Sequence, residues 1–469
     1  MPMTRLCLSK NIEVVPRERD FAVYHRLFGN LCLMDKAGVD YLSSFSEPKE
    51  PAISNASSME AYLEELKSRF FVVAEDVDER RYLEKDRNFR IQNMGSGYLV
   101  KLLQLVMTND CNLGCKYCFI DTVLSEGGRT KLKPRKMSPE LAIETVQKVI
   151  DIVKGNGNKE LSIEFFGGEP LLNWEAIETV LDYFGRGEQH GIDIHYSVVT
   201  NAVSVTPEIA KKLHDCAVTA VVSFDSPRNI NRVTKRGGNA DELIRRGLNI
   251  LSQNEANITF NTVIVSSNID SYDVIGLLEV AKKYNVKMIG LILDLAHGPY
   301  NDRVKMENIF NKIIETVVAA REYSIPITGY WHQIFEQIIG MRVHYLQKGY
   351  KTCVAEGCKL SIEPDGAVAN CKCGAVPMGN ATNMEAVFKT DLYKSYVMKA
   401  CETTAFCRGC KIEGFCSGLY MGTLENAFND VNVMVKGACE FYRDITERLI
   451  QMIPDGQVEM LPFPQDGMD

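Results

Sequence analysis

Residues 102–118 read LLQLVMTNDCNLGCKYC, an apolar run followed by Cys111, Cys115 and Cys118. The apolar run predicts a buried β-strand at Leu102–Thr108. The cysteines are spaced by three and then two residues, so they lie in one loop directly after that strand. Three thiolates in one loop can hold three irons of a four-iron cluster and leave the fourth iron without a protein ligand. A zinc site with three cysteines is the alternative.

Strands and helices alternate after this first strand. The clearest helix begins after Ser138, a capping residue followed by Pro139 in the first turn. Such alternation favours a parallel sheet covered by helices. Six strands predict an α/β fold, a partial (β/α)6 barrel of the TIM type at residues 96–325, with its chemistry at the C-terminal strand ends. The five further strands are predicted at Leu161–Phe166, Ile194–Thr200, Val218–Phe224, Ile258–Val265 and Lys287–Leu293.

Two regions of different pattern flank the predicted barrel. Residues 1–95 predict a small winged-helix-like domain, because apolar runs are followed by amphipathic stretches. Residues 326–469 lose periodicity and become rich in cysteine, glycine and turns, which is typical of small metal-bound folds. The N-terminal strands are predicted at Phe21–Tyr24 and Leu31–Met34, and the helices at Ala37–Phe45 and Ser58–Phe70.

The composition is that of an ordinary globular protein with two to three domains: 469 residues, 45% apolar and 24% charged. The net charge is -8, without a basic stripe, so nucleic acid is not an expected partner. No apolar run approaches the roughly 18 residues that span a bilayer, and no signal peptide is evident. We therefore expect a soluble cytoplasmic protein. Fifteen cysteines in a reducing compartment indicate metal binding or catalysis.

At the cysteine loop the sequence resembles the radical SAM superfamily. In that family the open iron binds S-adenosylmethionine (SAM), and reduction splits SAM into methionine and a 5'-deoxyadenosyl radical. Further motifs follow in the order that the family has: GGEP from Gly167 after the second strand, Asn201 after the third and Ser223 in the fourth. The resemblance implies that SAM is bound by Tyr117, Gly167, Gly168, Glu169, Asn201, Ser223 and Arg236.

Two of these residues have particular roles in the resemblance. Tyr117 would lie against the adenine of SAM. Arg236 is a candidate for binding the SAM carboxylate. A solvated arginine beside a helix is the alternative for Arg236.

A second group of cysteines follows the predicted barrel. Its spacing resembles the SPASM extension, which holds two auxiliary four-iron clusters, so the whole chain would carry three [4Fe-4S] clusters. A four-cysteine zinc ribbon with no role in chemistry is the competing interpretation of the last four cysteines. By the resemblance, the inner cluster is held by Cys353, Cys358 and Cys371, and the outer cluster by Cys407, Cys410, Cys416 and Cys439.

The SPASM pattern breaks at Tyr420, where the family has the last ligand of the inner cluster. A phenol is a poor iron ligand beside thiolates. Either Cys373 or Cys401 takes that position, or the inner cluster keeps an open iron that faces the substrate.

The N-terminal region resembles the PqqD-like recognition domain of enzymes that modify ribosomally made peptides. A sheet edge in that domain accepts an unfolded leader peptide as an added strand. A structural cap without a ligand is the alternative.

Together these resemblances imply a radical SAM SPASM peptide maturase. The enzyme would abstract a hydrogen from a precursor peptide, leader plus core, and close a thioether or carbon–carbon crosslink, with a flavodoxin or similar protein as electron donor. An oxidase of the anaerobic sulfatase-maturating type is the first alternative, although Lys372 stands where that family has an aspartate. A zinc-stabilised peptide-binding scaffold without catalysis is the second.

Overall fold

The computed structural model describes most of the chain. It covers residues 5–50, 57–118, 135–227, 231–265, 267–293, 302–340, 351, 353, 355–372, 374, 376–401, 404–428 and 430–464. The strands are β1 Leu6–Leu8, β2 Ile12–Pro16, β3 Phe21–His25, β4 Gly29–Met34, β5 Val72–Ala74, β6 Leu102–Thr108, β7 Glu160–Gly167, β8 Asp193–Thr200, β9 Thr219–Ser223, β10 Asn257–Ile264, β11 Ile289–Leu293, β12 Ile327–Thr328, β13 Lys359–Ile362, β14 Ala367–Ala369 and β15 Gly379–Asn380. The helices are α1 Lys36–Ser43, α2 Ser57–Ser68, α3 Arg81–Asn93, α4 Pro139–Gly155, α5 Trp174–Phe184, α6 Pro207–Asp215, α7 Asp241–Gln253, α8 Val274–Lys283, α9 Arg303–Tyr323, α10 Tyr330–Ile338, α11 Met384–Val387, α12 Asp391–Cys401, α13 Met421–Phe428 and α14 Lys436–Gln451.

A ten-stranded, mostly parallel sheet forms the centre of the molecule, in the order β12-β11-β10-β9-β8-β7-β6-β13-β14-β15. Strands β6 to β12 pair with their sequence neighbours, all in parallel. All six predicted barrel strands are confirmed, with each end within two residues of the prediction. Because parallel neighbours share one orientation, their C-terminal ends meet at one edge of the sheet, where the predicted motifs lie.

Helix α4 shows why the sequence folds locally as it does. Ser138 is its N-cap, and the Ser138 hydroxyl accepts a hydrogen bond from the Leu141 N–H at 3.2 Å. The residues on one face, including Val146 and Val149, are fully buried against the sheet. The predicted cap is therefore confirmed.

The central sheet extends beyond the barrel that the sequence predicted. β13 lies parallel to β6, with Lys359 opposite Leu102 and Ile362 opposite Leu105. β14 and β15 then continue the sheet in antiparallel fashion. The cysteine-rich region thus shares its backbone hydrogen bonds with the barrel, and a four-residue strand was too short to be found from periodicity.

The N-terminal strands and helices that the sequence predicted are also confirmed, with each end within two residues. β2, β3 and β4 form an antiparallel sheet. One of its faces, with Val23 and Cys32, packs on α1 and α2, while the other, with Ala22 and Leu33, joins the main core. Winged-helix geometry stays a prediction. In the described ranges, no helix has both the length and the apolar content needed to cross a membrane.

Candidate active site and cysteine clusters

The predicted cysteine loop lies at the C-terminal end of β6 and is held in place by main-chain pairing with residues 231–234. The Gly114 N–H donates to the Val233 carbonyl at 2.8 Å, and the Lys116 N–H donates to the Asn231 carbonyl at 2.9 Å. Leu113 forms an antiparallel bridge with Thr234 next to the first of these bonds. Main-chain bonds to residues 231–234 therefore hold the loop in place, although it has no place in the main sheet.

The structure brings the three loop thiols close to one another. Burial, with smaller contributions from Glu169 and from the Cys115 and Cys118 thiols, raises the pKa of Cys111 to about 12. The pKa of Cys115 is also raised by burial, and Arg232 opposes that shift. Since only the thiolate binds metal, such thiols need a bound cation to ionise.

The GGEP motif lies directly against this loop. The Gly168 N–H donates to the Thr108 carbonyl and the Glu169 N–H donates to the Asp110 carbonyl, both at 2.8 Å. A Cβ atom on Gly168 would lie 2.2 Å from the Asp110 oxygen. Gly167, at φ +147°, would bring a Cβ equally close to Thr108. Both glycines are therefore required for the close approach of β7 to the cysteine loop.

Glu169 joins the ends of β7 and β8. Its fully buried carboxylate accepts bonds from the Thr200 hydroxyl and the Asn201 N–H, both at 2.7 Å, and from the Leu171 N–H at 3.1 Å. Burial outweighs these bonds and raises the pKa of Glu169 to about 7. The Asn201 amide group also donates to Cys111 Sγ at 3.7 Å and to Asn112 Oδ1 at 2.7 Å. The predicted residues Glu169 and Asn201 are thus in direct contact with each other and with the cysteine loop.

Tyr117 takes part in a buried network at the end of β9. Its hydroxyl donates to Asp225 Oδ2 at 2.6 Å, while Asp225 Oδ1 accepts from Arg232 Nη2 at 3.0 Å and from the Val263 N–H at 2.9 Å. The Arg232 guanidinium carbon lies 5.4 Å from the centre of the Tyr117 ring. The pKa of Tyr117 is raised by burial and by the Asp225 charge, with Arg232 opposing. A small pocket adjoins Asp225 and Arg232.

Sequence reasoning missed Arg232 as a functional candidate. The predicted arginine, Arg236, is exposed in a turn four residues further on, whereas Arg232 is 7% exposed beside the cysteine loop. Ser223 is half-buried at the end of β9, two residues before Asp225. Asp225 belongs to the motif that the sequence places at the end of the fourth strand, from Ser223 to Asp225, but no spacing pattern distinguishes Arg232 from its neighbours. The assignment of Arg236 to SAM stays a prediction.

The four cysteines predicted for the outer cluster line one cleft of about 680 Å³. Burial raises the pKa of Cys416 to about 12, with Cys439 and Cys410 adding to the shift. The pKa of Cys439 is also raised, by burial and then by Cys407. Three of these cysteines come from the loop at residues 407–416, and the fourth from the first turn of α14.

The hairpin of β13 and β14 brings together two of the cysteines predicted for the inner cluster. Cys358 precedes β13 and Cys371 follows β14, so both lie at the same end of the hairpin. Burial raises the pKa of Cys353 to about 12, and Glu356 and Cys371 contribute. The ring of Tyr420 packs 4.4 Å from that of Tyr330, centre to centre. Cys373 and the side chain of Cys401 lie outside the described residues, so the fourth ligand stays open.

Buried or partly buried cations adjoin both cysteine sets. Lys351 and Lys399 line the outer cleft, and Arg90 is 2% exposed nearby. These three cations lie within electrostatic reach of Glu356, a fully buried carboxylate whose pKa is raised by burial, with Ser417 and the cations opposing the shift. Glu413, which also lines the cleft, is paired with Arg80 at 2.6 Å. An excess of buried positive charge beside thiols suits an anionic occupant.

These donor sets fit iron–sulfur clusters. Within the ranges that the structure describes, no three Cys, His, Asp or Glu side chains stand at the spacing of ligands around one metal ion. A four-iron cluster does not require that spacing, because each thiolate binds a different iron.

Comparisons with known proteins agree with the site. The model of the radical SAM superfamily matches residues 105–271. The chain is 34% identical to the radical SAM cyclopropyl synthase TigE of Paramaledivibacter caminithermalis over 459 residues, which cover 95% of this chain and 96% of that protein.

Solved structures share the fold. A structure of anSMEcpe with bound AdoMet superimposes with a TM-score of 0.61 at 19% identity, covering 76% of this chain and 97% of that one. Streptococcus suis SuiB bound to precursor peptide SuiA superimposes with a TM-score of 0.51 at 14% identity, covering 93% of this chain and 100% of that one.

The parallel sheet, the motifs at its C-terminal edge and the matched model define a radical SAM fold. The chain belongs to the radical SAM superfamily and is a radical SAM enzyme. This membership implies SAM and an iron–sulfur cluster as its cofactors.

Proposed function

We propose that this enzyme is a maturase that forms a carbon–carbon bond in a peptide, and that closure of a cyclopropyl ring is the first product to test. The likeness to the cyclopropyl synthase TigE carries this proposal, because it extends over 95% of the chain at 34% identity. The motifs allow both a thioether and a carbon–carbon crosslink, and the likeness to TigE favours the second.

In this proposal Cys111, Cys115 and Cys118 hold the catalytic cluster. When bound, the reduced cluster and SAM supply a 5'-deoxyadenosyl radical that removes a hydrogen atom from the peptide, and auxiliary clusters can accept the remaining electron. Side chains of the protein hold the cysteine loop and the neighbouring strand ends in position for the cluster and SAM. Glu169 and Asn201 fix the strand ends against Cys111, and the Asp225–Arg232 pair fixes Tyr117 beside the loop.

The two further cysteine sets are proposed to hold auxiliary clusters, giving about twelve irons per chain. Support comes from the cleft that Cys407, Cys410, Cys416 and Cys439 share, and from the buried Lys351 and the partly buried Lys399 that line it. A zinc ribbon is the alternative occupant of the outer set. Iron and acid-labile sulfide content of the anaerobically purified protein separates the two.

A peptide substrate is supported by the fold shared with SuiB, whose structure holds the precursor peptide SuiA. We propose that residues 1–95 bind a leader segment of such a peptide and that a flavodoxin or similar protein donates the electron. The oxidase alternative has the support of 23% identity to the cysteine-type anaerobic sulfatase-maturating enzyme of Clostridium perfringens over 75% of this chain. Against it, Lys372 is paired with Glu363 at 3.1 Å where that family has an aspartate.

Mass spectrometry of a candidate short peptide co-expressed with the enzyme tests the proposal. Cyclopropyl formation predicts the loss of two hydrogens, localised by fragmentation to one residue, with every cysteine of the peptide still open to alkylation. Loss of an alkylatable cysteine together with two hydrogens would instead indicate a thioether. Conversion of a Ser or Cys to an aldehyde would contradict the proposal in favour of the oxidase.

A further inference from the structure

The edge of the N-terminal sheet at β4 is occupied by a distant part of the same chain. The Leu33 N–H donates to the Glu459 carbonyl at 2.9 Å, and the Leu461 N–H donates to the Leu33 carbonyl at 2.8 Å. Met460 bridges Leu33 in parallel orientation. Residues 458–463, which we call the plug segment, therefore add a strand to the β2-β3-β4 sheet.

Side chains hold both ends of the plug segment. Arg69 pairs with Glu459 at one end. At the other end, the Phe463 N–H donates to Asp35 Oδ2 at 3.2 Å. The Phe463 ring lies 5.4 Å from Tyr41 and 5.6 Å from Tyr62, centre to centre. The β4 edge, Arg69 and the two tyrosines thus form a groove that accepts a carboxylate and, four residues later, an aromatic ring.

The side chains that line this groove have other ion-pair, hydrogen-bond or aromatic partners, which they would keep if the plug segment left. Arg69 also pairs with Glu65 at 2.7 Å, and Asp35 accepts the Gly38 N–H at 2.7 Å as the cap of α1. Tyr41 and Tyr62 contact each other at 6.0 Å. Among the described residues of the groove, the main-chain groups that would lose a bond are the N–H and carbonyl of Leu33.

The plug segment itself is only partly buried. The side chain of Glu459 is 62% exposed and Met460 is 46% exposed. Strand addition supplies affinity through main-chain bonds that any extended peptide can make, so another peptide can replace this segment bond for bond. Arg69 favours an acidic residue at the first position, and Lys49 over the Tyr41 ring, at 5.9 Å, adds positive charge at the other end.

We propose that this groove is the docking site for an extended acidic segment of the substrate peptide, and that the plug segment occupies it until the substrate segment displaces it. The proposal rests on the peptide substrate of the proposed function. It adds that the leader segment binds by strand exchange. Because the plug segment competes for the same groove, the intact enzyme should bind the leader segment more weakly than an enzyme whose groove is open.

A labelled copy of the plug segment tests the exchange. The probe is a fluorescein-labelled synthetic peptide with the sequence of residues 456–464, GQVEMLPFP, and its binding to the full chain is followed by fluorescence anisotropy. Leu461→Pro removes the N–H that bonds to Leu33, so the internal strand is weakened. Met460→Pro is the matched control, because the Met460 N–H takes no part in the pairing and proline is tolerated there.

We expect Leu461→Pro to bind the probe at least tenfold more tightly than the wild type, and Met460→Pro to bind it like the wild type. Phe463→Ala leaves the backbone pairing intact and introduces no proline. We expect it to increase the affinity for the probe about threefold. A probe N-methylated at its leucine should bind the Leu461→Pro variant at least tenfold more weakly than the unmodified probe. Equal probe affinity in wild type, Leu461→Pro and Phe463→Ala would overturn the proposal.

Reductive SAM cleavage without peptide is measured in the same preparations. If cleavage persists while the probe binds no variant more tightly, the groove proposal fails and the proposed function stands. If the probe binds as expected but SAM is not cleaved, the groove stands and the proposed catalysis fails.

Discussion

At the residue scale, the network of Tyr117, Asp225 and Arg232 depends on one buried ion pair. Arg232→Met keeps much of the side-chain volume but leaves the Asp225 carboxylate buried without its cation. Breaking such a pair costs about 3–5 kcal/mol. We therefore expect a lower free energy of unfolding in chemical denaturation and at least a tenfold slower formation of 5'-deoxyadenosine.

Arg236→Met is the matched control for that variant. Arg236 is exposed in a turn, so its loss should change the free energy of unfolding by no more than about 0.5 kcal/mol. If Arg236→Met abolishes SAM cleavage while Arg232→Met does not, the arginine predicted from the sequence is the functional one and the network described here is only structural.

A second residue-scale prediction concerns the cations in the outer cleft. Lys399→Met removes a partly buried positive charge beside the proposed outer cluster, which would gain an electron on reduction, so the reduced form becomes less stable. We expect at least a tenfold fall in the ratio of reduced to oxidised outer cluster at a fixed potential, which corresponds to about 59 mV for one electron. EPR-monitored redox titration in the Cys111→Ala, Cys115→Ala, Cys118→Ala background measures it.

The control is Lys411→Met, which makes the same charge change next to Cys410. Lys411 is 48% exposed and pairs with Glu447, so solvent screens its charge. Equal shifts in the two variants would show that the position of Lys399 in the cleft does not set the potential of the cluster.

Some residues of the candidate site could be predicted from the sequence, and others could not. The cysteine loop and GGEP were predictable because their spacing is short and their chemistry needs particular residue types. Arg232 was not, because only the folded loop brings it back to Asp225 and Tyr117. The fourth ligand of the inner cluster was left open by the sequence, and Tyr420 packing on Tyr330 does not supply it.

At the element scale, a substitution at Gly168 tests whether the cluster requires the close contact between β7 and the cysteine loop. In Gly168→Ala the new Cβ would meet the Asp110 carbonyl at 2.2 Å, so the main chain before Cys111 must move. We expect the loss of about four irons per chain from the catalytic cluster. Gly155→Ala at the end of α4, where a Cβ meets nothing within 4 Å, should keep the full iron content.

Iron analysis after anaerobic reconstitution decides between these outcomes. Retention of all irons in Gly168→Ala would mean that the loop tolerates the displacement and that the glycine serves another purpose.

The elements also show where sequence patterns stop being informative. The barrel strands and α4 were predictable, because long apolar runs and a capped amphipathic stretch have few alternatives. β13 was not predicted, since its pairing with β6 is set by residues more than two hundred positions apart. Likewise, periodicity near β4 could not reveal that residues 458–463 would lie beside it.

At the scale of the whole molecule, the N-terminal region is packed against the outer cysteine loop. The Gly414 N–H donates to the Arg26 carbonyl at 2.9 Å, the Tyr24 hydroxyl donates to the Lys411 carbonyl at 3.2 Å, and a Cβ on Gly414 would lie 2.4 Å from the Leu27 carbonyl. Deletion of residues 1–95 should therefore cost about four irons as well as peptide recognition.

Leu461→Pro provides the comparison for this deletion, because it alters only the edge of the same sheet. It should retain the full iron content. A deleted chain that keeps all its irons and its SAM cleavage would mean that the N-terminal region acts as a separate recognition domain.

The central claim is that Cys111, Cys115 and Cys118 hold the cluster that cleaves SAM. The most direct measurement is 5'-deoxyadenosine formed under dithionite, together with iron content, in the variant with all three cysteines changed to alanine. We predict no 5'-deoxyadenosine and a loss of about four irons from about twelve, while Cys216→Ala behaves as the wild type. If the triple variant still forms 5'-deoxyadenosine at the wild-type rate, the assignment of the catalytic cluster is wrong.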